Sequence, residues 1–586
     1  MIKLLKKMKP KQWGMVGIVI VLLLVQIYLD LLLPDYMKEM TNLIQSSTNA
    51  MGDIWLVGGK MLFTTLLSAI LMIICGYLTS KIASGFTYNV RKDLFNHVSS
   101  LGQEEMLDFS VPSLITRTTN DVVQIQMVIA MGLMTLIKSP VMAVWAVIKI
   151  LNKSWELSLV TAAFVVVLCI VVTLIVASVL PRFRIVQRLT DRINKVAREN
   201  LTGINVVHAF NAEDYQNEKF DKENTEMMNV QLKNQHTFAI MNPVLGLGMN
   251  GLSLTIFWLG AALLAGIPAI DSASRLNMFS DIVVFSTYAT YVVMSFMMLI
   301  MIFTMLPAAE VSAERINKVL DKKPNIIQGD FDKETKEVGS VEFKHVTFRY
   351  PDASDDDLTD ISFKVNKGET LAIIGATGSG KTTLISLIAR FYDATSGEVL
   401  VDGINVKNYT FDNLYNKLGY MTQKAVMFNG TIKDNVTFGE QKTLLNDEDI
   451  NKALDLSCAS EFVNKLEDKE DYMVAQSGRN LSGGQKQRLS IARALARNSE
   501  ILIFDDSFSA LDYKTDAKLR HQLNEELPDT TKIIVAQRIS TIRNADTILV
   551  LEDGKICGKG THDELMKNCS VYQQIAKSQL SEKELA

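Results

Sequence analysis

This sequence has few cysteines and little net charge. Its 586 residues contain five cysteines, with no CxxC pair and no metal-binding spacing. Free thiols are therefore expected, and they suit a domain that faces a reducing cytosol. The formal net charge is only −4, which gives no indication of nucleic-acid binding, so no nucleic-acid partner is expected.

Apolar residues are abundant, at 48% of the chain, and they are distributed unevenly. Residues 1 to about 310 contain long apolar runs, whereas residues 325–586 alternate charged and apolar segments as a soluble α/β domain does. A chain of this length also exceeds what one hydrophobic core supports. We therefore predict at least two domains, the first in a membrane and the second in water.

Six apolar runs are long enough to cross a bilayer, which requires about 20 residues in a helix. They cover residues 13–34, 54–79, 129–151, 155–180, 238–268 and 282–307. The basic, partly amphipathic segment before the first run predicts a short helix on the inner membrane surface. The sequence does not begin with a protease-like domain, which disfavours an exporter that processes peptides.

The distribution of Lys and Arg predicts the orientation of these spans. Residues 1–12 carry Lys3, Lys6, Lys7, Lys9 and Lys11, and the connections 80–127 and 181–237 are also basic. The three opposite connections carry only Lys38, Lys153 and Arg275. By the positive-inside rule, both termini and the two long connections are cytoplasmic in a multi-pass protein of the cell membrane.

The two long cytoplasmic connections have a helical composition, so we expect membrane helices to continue into the cytosol. Each connection contains a break. In the first, Pro112 ends one helix and Ser110 can cap the next; in the second, the break lies at residues 210–215. The segments 108–118 and 208–216 are thus predicted at the tips of long stalks, where they can touch another domain.

The soluble half contains a phosphate-binding loop between a predicted strand and a predicted helix. Its residues are Gly375, Ala376, Thr377, Gly378, Ser379, Gly380, Lys381, Thr382 and Thr383. Glycines let backbone N–H groups approach the phosphates, Lys381 adds positive charge, and Thr382 can bind Mg²⁺. Asp505, at the end of an apolar strand, supplies a second Mg²⁺ ligand. The expected cofactors are ATP and Mg²⁺.

A second phosphate-binding segment lies in the same half. Ser482, Gly483, Gly484 and Gln485 precede a predicted helix, whose N-terminus can bind an anion. One nucleotide cannot easily use both segments of one domain. Two domains that face each other head to tail would let each signature segment close on the nucleotide held by the other.

With these motifs in this order, the chain resembles a half-transporter of the ABC exporter family over nearly its whole length. The resemblance implies a six-span α-helical transmembrane domain (1–320), a linker (321–338) and an α/β P-loop ATP-binding domain (339–586). It also implies that Tyr350 stacks on adenine and that Gln423 approaches Mg²⁺. Residues 509–512 resemble the loop that joins two ATP sites, and residues 108–118 and 208–216 resemble the coupling segments.

Three positions differ from the hydrolytic form of the family, and one of them is Gln476, where exporters often have a Glu. Asp506 stands where a longer Glu would position the attacking water, and Gln537 stands where a His is expected. The missing methylene shortens the reach by about 1.5 Å, and misplacement on that scale can cost about 100-fold in rate. Gln537 can still hydrogen-bond to phosphate but cannot become cationic. We therefore expect this chain to bind ATP and to hydrolyse it poorly alone.

These features predict the degenerate-site subunit of a heterodimeric, ATP-driven exporter of drugs or lipids. Its Ser482 would act on the ATP bound by a second half-transporter. The alternatives are a slow homodimeric exporter and a regulatory or channel-like ABC protein, in which nucleotide binding only gates a pore.

Polar residues inside spans are costly in lipid, so they are candidates for a cavity lining: Gln26, Asp30, Lys138, Asn242 and Asn250. Lys149 lies near a span end and is expected to extend toward the membrane surface.

Overall fold

The structure is a computed structural model that describes all residues except 46–50, 152, 269–270, 352, 440–444 and 580–586. The chain divides into two compact units. The first unit contains residues 1–99 and 111–321, and the second contains residues 100–110 and 322–586. Each is described by itself below.

The first unit is entirely helical. Its helices are α1 (Ile2–Leu5), α2 (Pro10–Gln45), α3 (Met51–Ser100), α5 (Val111–Thr116), α6 (Val122–Leu151), α7 (Trp155–Thr202), α8 (Ile204–Ala209), α9 (Glu213–Ala239), α10 (Met241–Ala265) and α11 (Ser272–Leu320), with a π-helical turn at Arg117–Asp121 between α5 and α6. The short α4 (Gln103–Leu107) lies in the second unit, as does the last residue of α3. Among the described residues, six helical segments are long and apolar enough to cross a membrane.

Large apolar side chains cover the outside of these helices. Trp55 and Ile73 on α3 and Leu254 and Trp258 on α10 are each between 69% and 77% exposed. A surface of this kind is unfavourable in water and stable in lipid, where helices satisfy their own backbone hydrogen bonds. The predicted six-span helical domain is therefore confirmed.

Three of the helices are much longer than a bilayer requires. The helix α3 has 50 residues, α7 has 48 and α11 has 49, which corresponds to about 75 Å for α3 at 1.5 Å per residue. Local caps mark two of the helix starts, because Ser154 accepts from the N–H of Leu157 and Asp271 accepts from that of Ser274.

Lys149 lies near the end of α6 and has an acidic partner on α2. Its ammonium lies 2.5 Å from the carboxylate of Asp35 on α2, so it forms an ion pair between helices. Asn242, a candidate for the cavity lining, has a side chain outside the described part of the structure.

The second unit is an α/β domain with three sheets. A six-stranded sheet has the order β12-β11-β3-β10-β9-β6, a four-stranded antiparallel sheet has the order β2-β1-β4-β5, and β7 pairs with β8. The strands are β1 (Val341–Phe348), β2 (Leu358–Val365), β3 (Thr370–Gly375), β4 (Ser396–Val401), β5 (Ile404–Asn405), β6 (Leu418–Met421), β7 (Gly430–Thr431), β8 (Met473–Val474), β9 (Ile501–Asp505), β10 (Thr531–Val535), β11 (Thr547–Glu552) and β12 (Lys555–Gly560).

Helices cover the six-stranded sheet and form a separate helical lobe. They are α12 (Lys381–Ile388), α13 (Phe411–Lys417), α14 (Ile432–Val436), α15 (Asp447–Leu456), α16 (Ser460–Val463), α17 (Gly483–Ala496), α18 (Tyr513–Glu526), α19 (Ile539–Ile542), α20 (His562–Asn568) and α21 (Ser570–Gln579). Strands β6, β9, β10, β3 and β11 run parallel, and their continuous apolar runs are buried on both faces, as is typical of parallel sheets.

The first tip segment contacts the start of the ATP-binding half of its own chain. Glu105 of α4 accepts a hydrogen bond from the backbone N–H of Asn325 at 3.0 Å, and Asp108 pairs with Lys322 at 2.6 Å. The helix α5 begins at Val111, directly after Ser110, with Pro112 in its first turn.

Candidate functional site

Four parallel strands place the predicted site residues at one edge of the sheet. The carboxyl ends of β3, β6, β9 and β10 lie together because these strands are neighbours with the same direction. Ligands of open α/β sheets bind outside this edge. A cavity of about 260 Å³ lies there, lined by Asp357, Thr377, Gly378, Gly380, Lys381, Thr382, Thr383, Gln423, Asp505, Asp506, Val535 and Gln537.

The phosphate-binding loop connects β3 to α12. Gly378 and Gly380 have φ angles of +85° and +90°, a backbone conformation that glycine adopts without strain. The ammonium of Lys381 donates to the carbonyl oxygens of Gly375 at 3.0 Å and Ala376 at 2.6 Å. Burial lowers the pKa of Lys381, because a buried site disfavours the charged form.

Oxygen ligands suited to Mg²⁺ converge beside this loop. The hydroxyl of Thr382 donates to the carboxylate of Asp505 at 3.1 Å, and Gln423 follows β6 at the same edge. Hydroxyl, carboxylate and amide oxygens are hard ligands of the kind that Mg²⁺ prefers. Burial raises the pKa of Asp505, as expected for a carboxyl at the end of a buried strand. This donor set fits the metal.

The two unusual residues contact each other. The side-chain amide of Gln537 donates to the Asp506 carboxylate at 2.9 Å, and Gln423 also hydrogen-bonds to that carboxylate. Asp506 has a φ of +47°, and burial raises its pKa. The carboxylate that replaces the expected Glu is therefore held by two amide side chains of its own site.

Tyr350 lies beside the same helix but is tightly packed. Its hydroxyl is 3.0 Å from the hydroxyl of Thr383 on α12, and burial raises its pKa. The rings of Phe348 and Tyr392 contact it edge-on, with centroids 4.8 Å and 5.3 Å away. The contact between the two hydroxyls thus holds the Tyr350 ring beside α12, the helix that follows the phosphate-binding loop.

The signature segment forms a well-capped helix start. Ser482 is the N-cap of α17: its hydroxyl accepts from the N–H of Gln485, and the Gln485 side chain accepts from the N–H of Ser482 at 2.8 Å. Ser482 and Gly483 are exposed. Of the described residues, those that line the 260 Å³ cavity do not include residues 482–485. The cavity thus gathers most of the other predicted site residues. Tyr350, Gly375, Ala376 and Ser379 are not part of its lining, and the signature segment is exposed at Ser482 and Gly483.

Asp357 lines the cavity and was not predicted from the sequence. One oxygen of its carboxylate is buried and has no hydrogen-bond partner among the described residues. It lies close to Gly380, whose missing side chain would begin 3.5 Å from it. In the sequence, the feature that distinguishes Asp357 is its place in the acidic run 355–357, and such a run is typical of an ordinary solvated turn.

Comparisons with known proteins agree with both units. The family model described as "ABC transporter transmembrane region" matches residues 16–296, and the model described as "ABC transporter" matches residues 358–509. An uncharacterized ABC transporter ATP-binding protein of Mycobacterium bovis is 38% identical over 89% of each chain. An ATP-dependent lipid A-core flippase of Aliivibrio fischeri is 29% identical over 87% of this chain and 86% of its own. The solved structure of a bacterial Atm1-family ABC exporter with ATP bound aligns with a TM-score of 0.81 at 22% identity, covering 97% of this chain and 99% of that one, which is a likeness of fold.

Proposed function

Because this chain belongs to the ABC transporter family, as an ATP-driven exporter with fused transmembrane and ATP-binding domains, we propose that it is the degenerate-site subunit of a heterodimeric pair. It binds ATP with Mg²⁺ and hydrolyses it slowly. Its signature segment completes the hydrolytic site of the partner. The pair moves drugs or lipids outward across the cell membrane.

The observation that carries this proposal is the hydrogen bond between Gln537 and Asp506. A general base must reach the water from which it takes a proton. The Asp506 carboxylate is one methylene too short for the expected position, and one of its oxygens already accepts from Gln537. Both altered residues take part in this one contact, which favours a specialised site over two unrelated substitutions.

The residues that bind nucleotide are complete. The loop at residues 375–383 and Lys381 hold the phosphates, Tyr350 positions the base, and Thr382, Asp505 and Gln423 hold Mg²⁺, which neutralises phosphate charge when bound. ATP binding is therefore retained while the step that needs a base is weakened.

The exposed signature segment supports a second chain as the partner. The start of α17 is pre-formed by its capping box, and N–H groups at a helix start attract phosphate. Since Ser482 is exposed and does not line the cavity of its own unit, its proposed target is the nucleotide of a second half-transporter.

The membrane orientation and the linker are part of the same proposal. Both termini and the ATP-binding domain lie in the cytoplasm, as the distribution of Lys and Arg indicates. The transmembrane domain ends at residue 320, and residues 321–338 connect it to the domain at 339–586. The similarity to a lipid A-core flippase supports an amphipathic cargo.

The test compares the chain alone with the chain and its co-purified partner. The chain alone should bind Mg-ATP and turn it over slowly, and the pair should hydrolyse ATP briskly and take up amphiphile into sealed inverted vesicles. Fast turnover by the chain alone would support the homodimeric exporter. Nucleotide-dependent leakage without uphill uptake would support a gated channel.

A further inference from the structure

A polar cluster lies inside the membrane-spanning helices of the first unit. The ammonium of Lys138 on α6 is 3.1 Å from the carboxylate of Asp30 on α2, and the hydroxyl of Ser68 on α3 donates to the other oxygen of Asp30. Three helices therefore meet at one ion pair. Ionisable groups at such positions are costly and mark functional sites.

Both members of this ion pair retain bonding capacity and access. Lys138 has a side-chain exposure of 22% and Asp30 one of 20%. An ammonium has three donors and a carboxylate about four acceptor positions, and the described contacts use one and two of them respectively. Each charge can thus bind a further group without first breaking the pair.

The side-chain carbonyl oxygen of a buried glutamine next to the pair has no hydrogen-bond partner among the described residues. Gln26 lies one helical turn before Asp30 on α2, on the same face. It is 2% exposed, and its carbonyl oxygen has no hydrogen-bond partner among the described residues. Such an unsatisfied acceptor is unfavourable, and a donor group on a ligand would satisfy it.

We propose that Asp30 and Lys138 bind the headgroup of a zwitterionic amphiphile. The ligand's primary ammonium bonds to Asp30 and to the Gln26 carbonyl, and its anionic group bonds to Lys138. A zwitterion matches a paired site because it adds no net charge. A headgroup with a single charge adds a net charge to the neutral ion pair in a low-dielectric region, which is unfavourable. This inference rests on the proposed exporter function and specifies its cargo.

An apolar surface for the hydrocarbon chains lies nearby on α11. The hydroxyl of Tyr288 donates to the backbone oxygen of Leu31, next to Asp30, at 2.9 Å. Met294, Met298 and Met301 follow on α11 with exposures of 44–56%, and the first lies about 9 Å along the helix from Tyr288. Flexible thioether side chains adapt to ligands of varied shape.

The test measures equilibrium binding to the purified pair in detergent, without ATP. The probes are dihexanoyl phosphatidylethanolamine, dihexanoyl phosphatidylglycerol, dihexanoylglycerol and free phosphoethanolamine. The zwitterionic lipid should bind at least about 10-fold more tightly than the other two lipids, since a hydrogen bond to a charged group is worth that much or more. Free phosphoethanolamine should bind weakly, because it buries no hydrocarbon.

Variants separate recognition from structure. Asp30→Asn and Lys138→Gln should each remove most of the preference for the zwitterion. The exchanged pair D30K/K138D should retain it, because both charges remain. The matched control D35N/K149Q removes another ion pair between α2 and α6 and should leave the preference unchanged. ATP binding and monodispersity report correct folding of each variant.

Three results would overturn the inference. They are equal binding of all three lipids, tighter binding of phosphatidylglycerol, and an unchanged preference in D30N/K138Q. None of them depends on ATP turnover. A pair that binds the zwitterion but fails to transport it would refute the proposed function and leave the binding site standing.

Discussion

The side chains of Asp506 and Gln537, which are 31 positions apart in the chain, are in direct contact. Each of the two residues satisfies the other through the hydrogen bond from Gln537. Changing Gln537 removes one of the two amide hydrogen bonds to the half-buried Asp506 carboxylate and leaves the one from Gln423, which costs some stability. The effects of changing residues in contact are not additive, so under the proposed function fast hydrolysis is expected only when both residues are changed.

The first prediction follows from this coupling. In the isolated chain, Asp506→Glu or Gln537→His alone should change steady-state ATP hydrolysis only a few-fold. The double variant D506E/Q537H should increase it by up to about 100-fold, because a base displaced by about 1 Å costs on that order. Measured rates that simply multiply across the two single variants would contradict the coupling.

Asp357 allows a second prediction at the same scale. Its unpartnered carboxylate faces a cavity that receives the negative charge of ATP, and like charges repel more strongly where water is scarce. Asp357→Asn should therefore tighten Mg-ATP binding several-fold in an equilibrium titration. The matched control is Asp355→Asn, which alters an exposed carboxylate of the same acidic run. Weaker binding by Asp357→Asn would mean that this carboxylate accepts a hydrogen bond from the nucleotide.

At the scale of elements, the two tip segments differ in what they contact. The first, α4, is bonded through Glu105 to Asn325 of the same unit. The second, between α8 and α9, exposes two large aromatic side chains: Phe210 is 79% exposed and Tyr215 is 67% exposed. Aromatic residues at an exposed tip are typical anchors of a protein interface.

The third prediction concerns this second tip. Phe210→Ala and Tyr215→Ala should each reduce transport per ATP hydrolysed in the reconstituted pair, or dissociate it, since truncating an interface anchor can cost about 2 kcal/mol. ATP binding by this chain should not change. Met228→Ala, which truncates an exposed side chain farther along α9, serves as the control. An unchanged transport ratio and unchanged assembly would mean that the tip is only a turn.

Elements with local signals could be predicted from the sequence. The six spans follow from apolar length, and the strand, loop and helix around Lys381 follow from their motif. At the first tip, α4 ends at Leu107 and α5 begins at Val111, and the hydrogen bond from Asn325 to Glu105 is a long-range contact that no local pattern predicts. The Asp506–Gln537 contact depends on β9 and β10 being neighbours, which no local pattern reports.

At the scale of the whole molecule, the two phosphate-binding segments do not line one cavity in the described part of the chain. The cavity beside Lys381 lacks residues 482–485 among its described lining, and α17 begins at an exposed Ser482. A pair of chains would therefore contain two composite sites. This chain contributes the loop and altered base to one, and an intact signature segment to the other.

The last prediction ranks these two contributions in the reconstituted pair. Ser482→Arg places a bulky cation where the signature closes on the partner's ATP, so it should nearly abolish hydrolysis. Lys381→Ala weakens nucleotide binding at the site that hydrolyses slowly, so it should leave clearly more residual activity. Lys486→Ala, which truncates a side chain on α17 just beyond the signature segment, controls for general damage to that helix. Steady-state hydrolysis of the variants, measured side by side at equal pair concentration, decides the ranking. If Lys381→Ala is the more damaging change, this chain holds the hydrolytic nucleotide and the assignment of the two sites must be reversed.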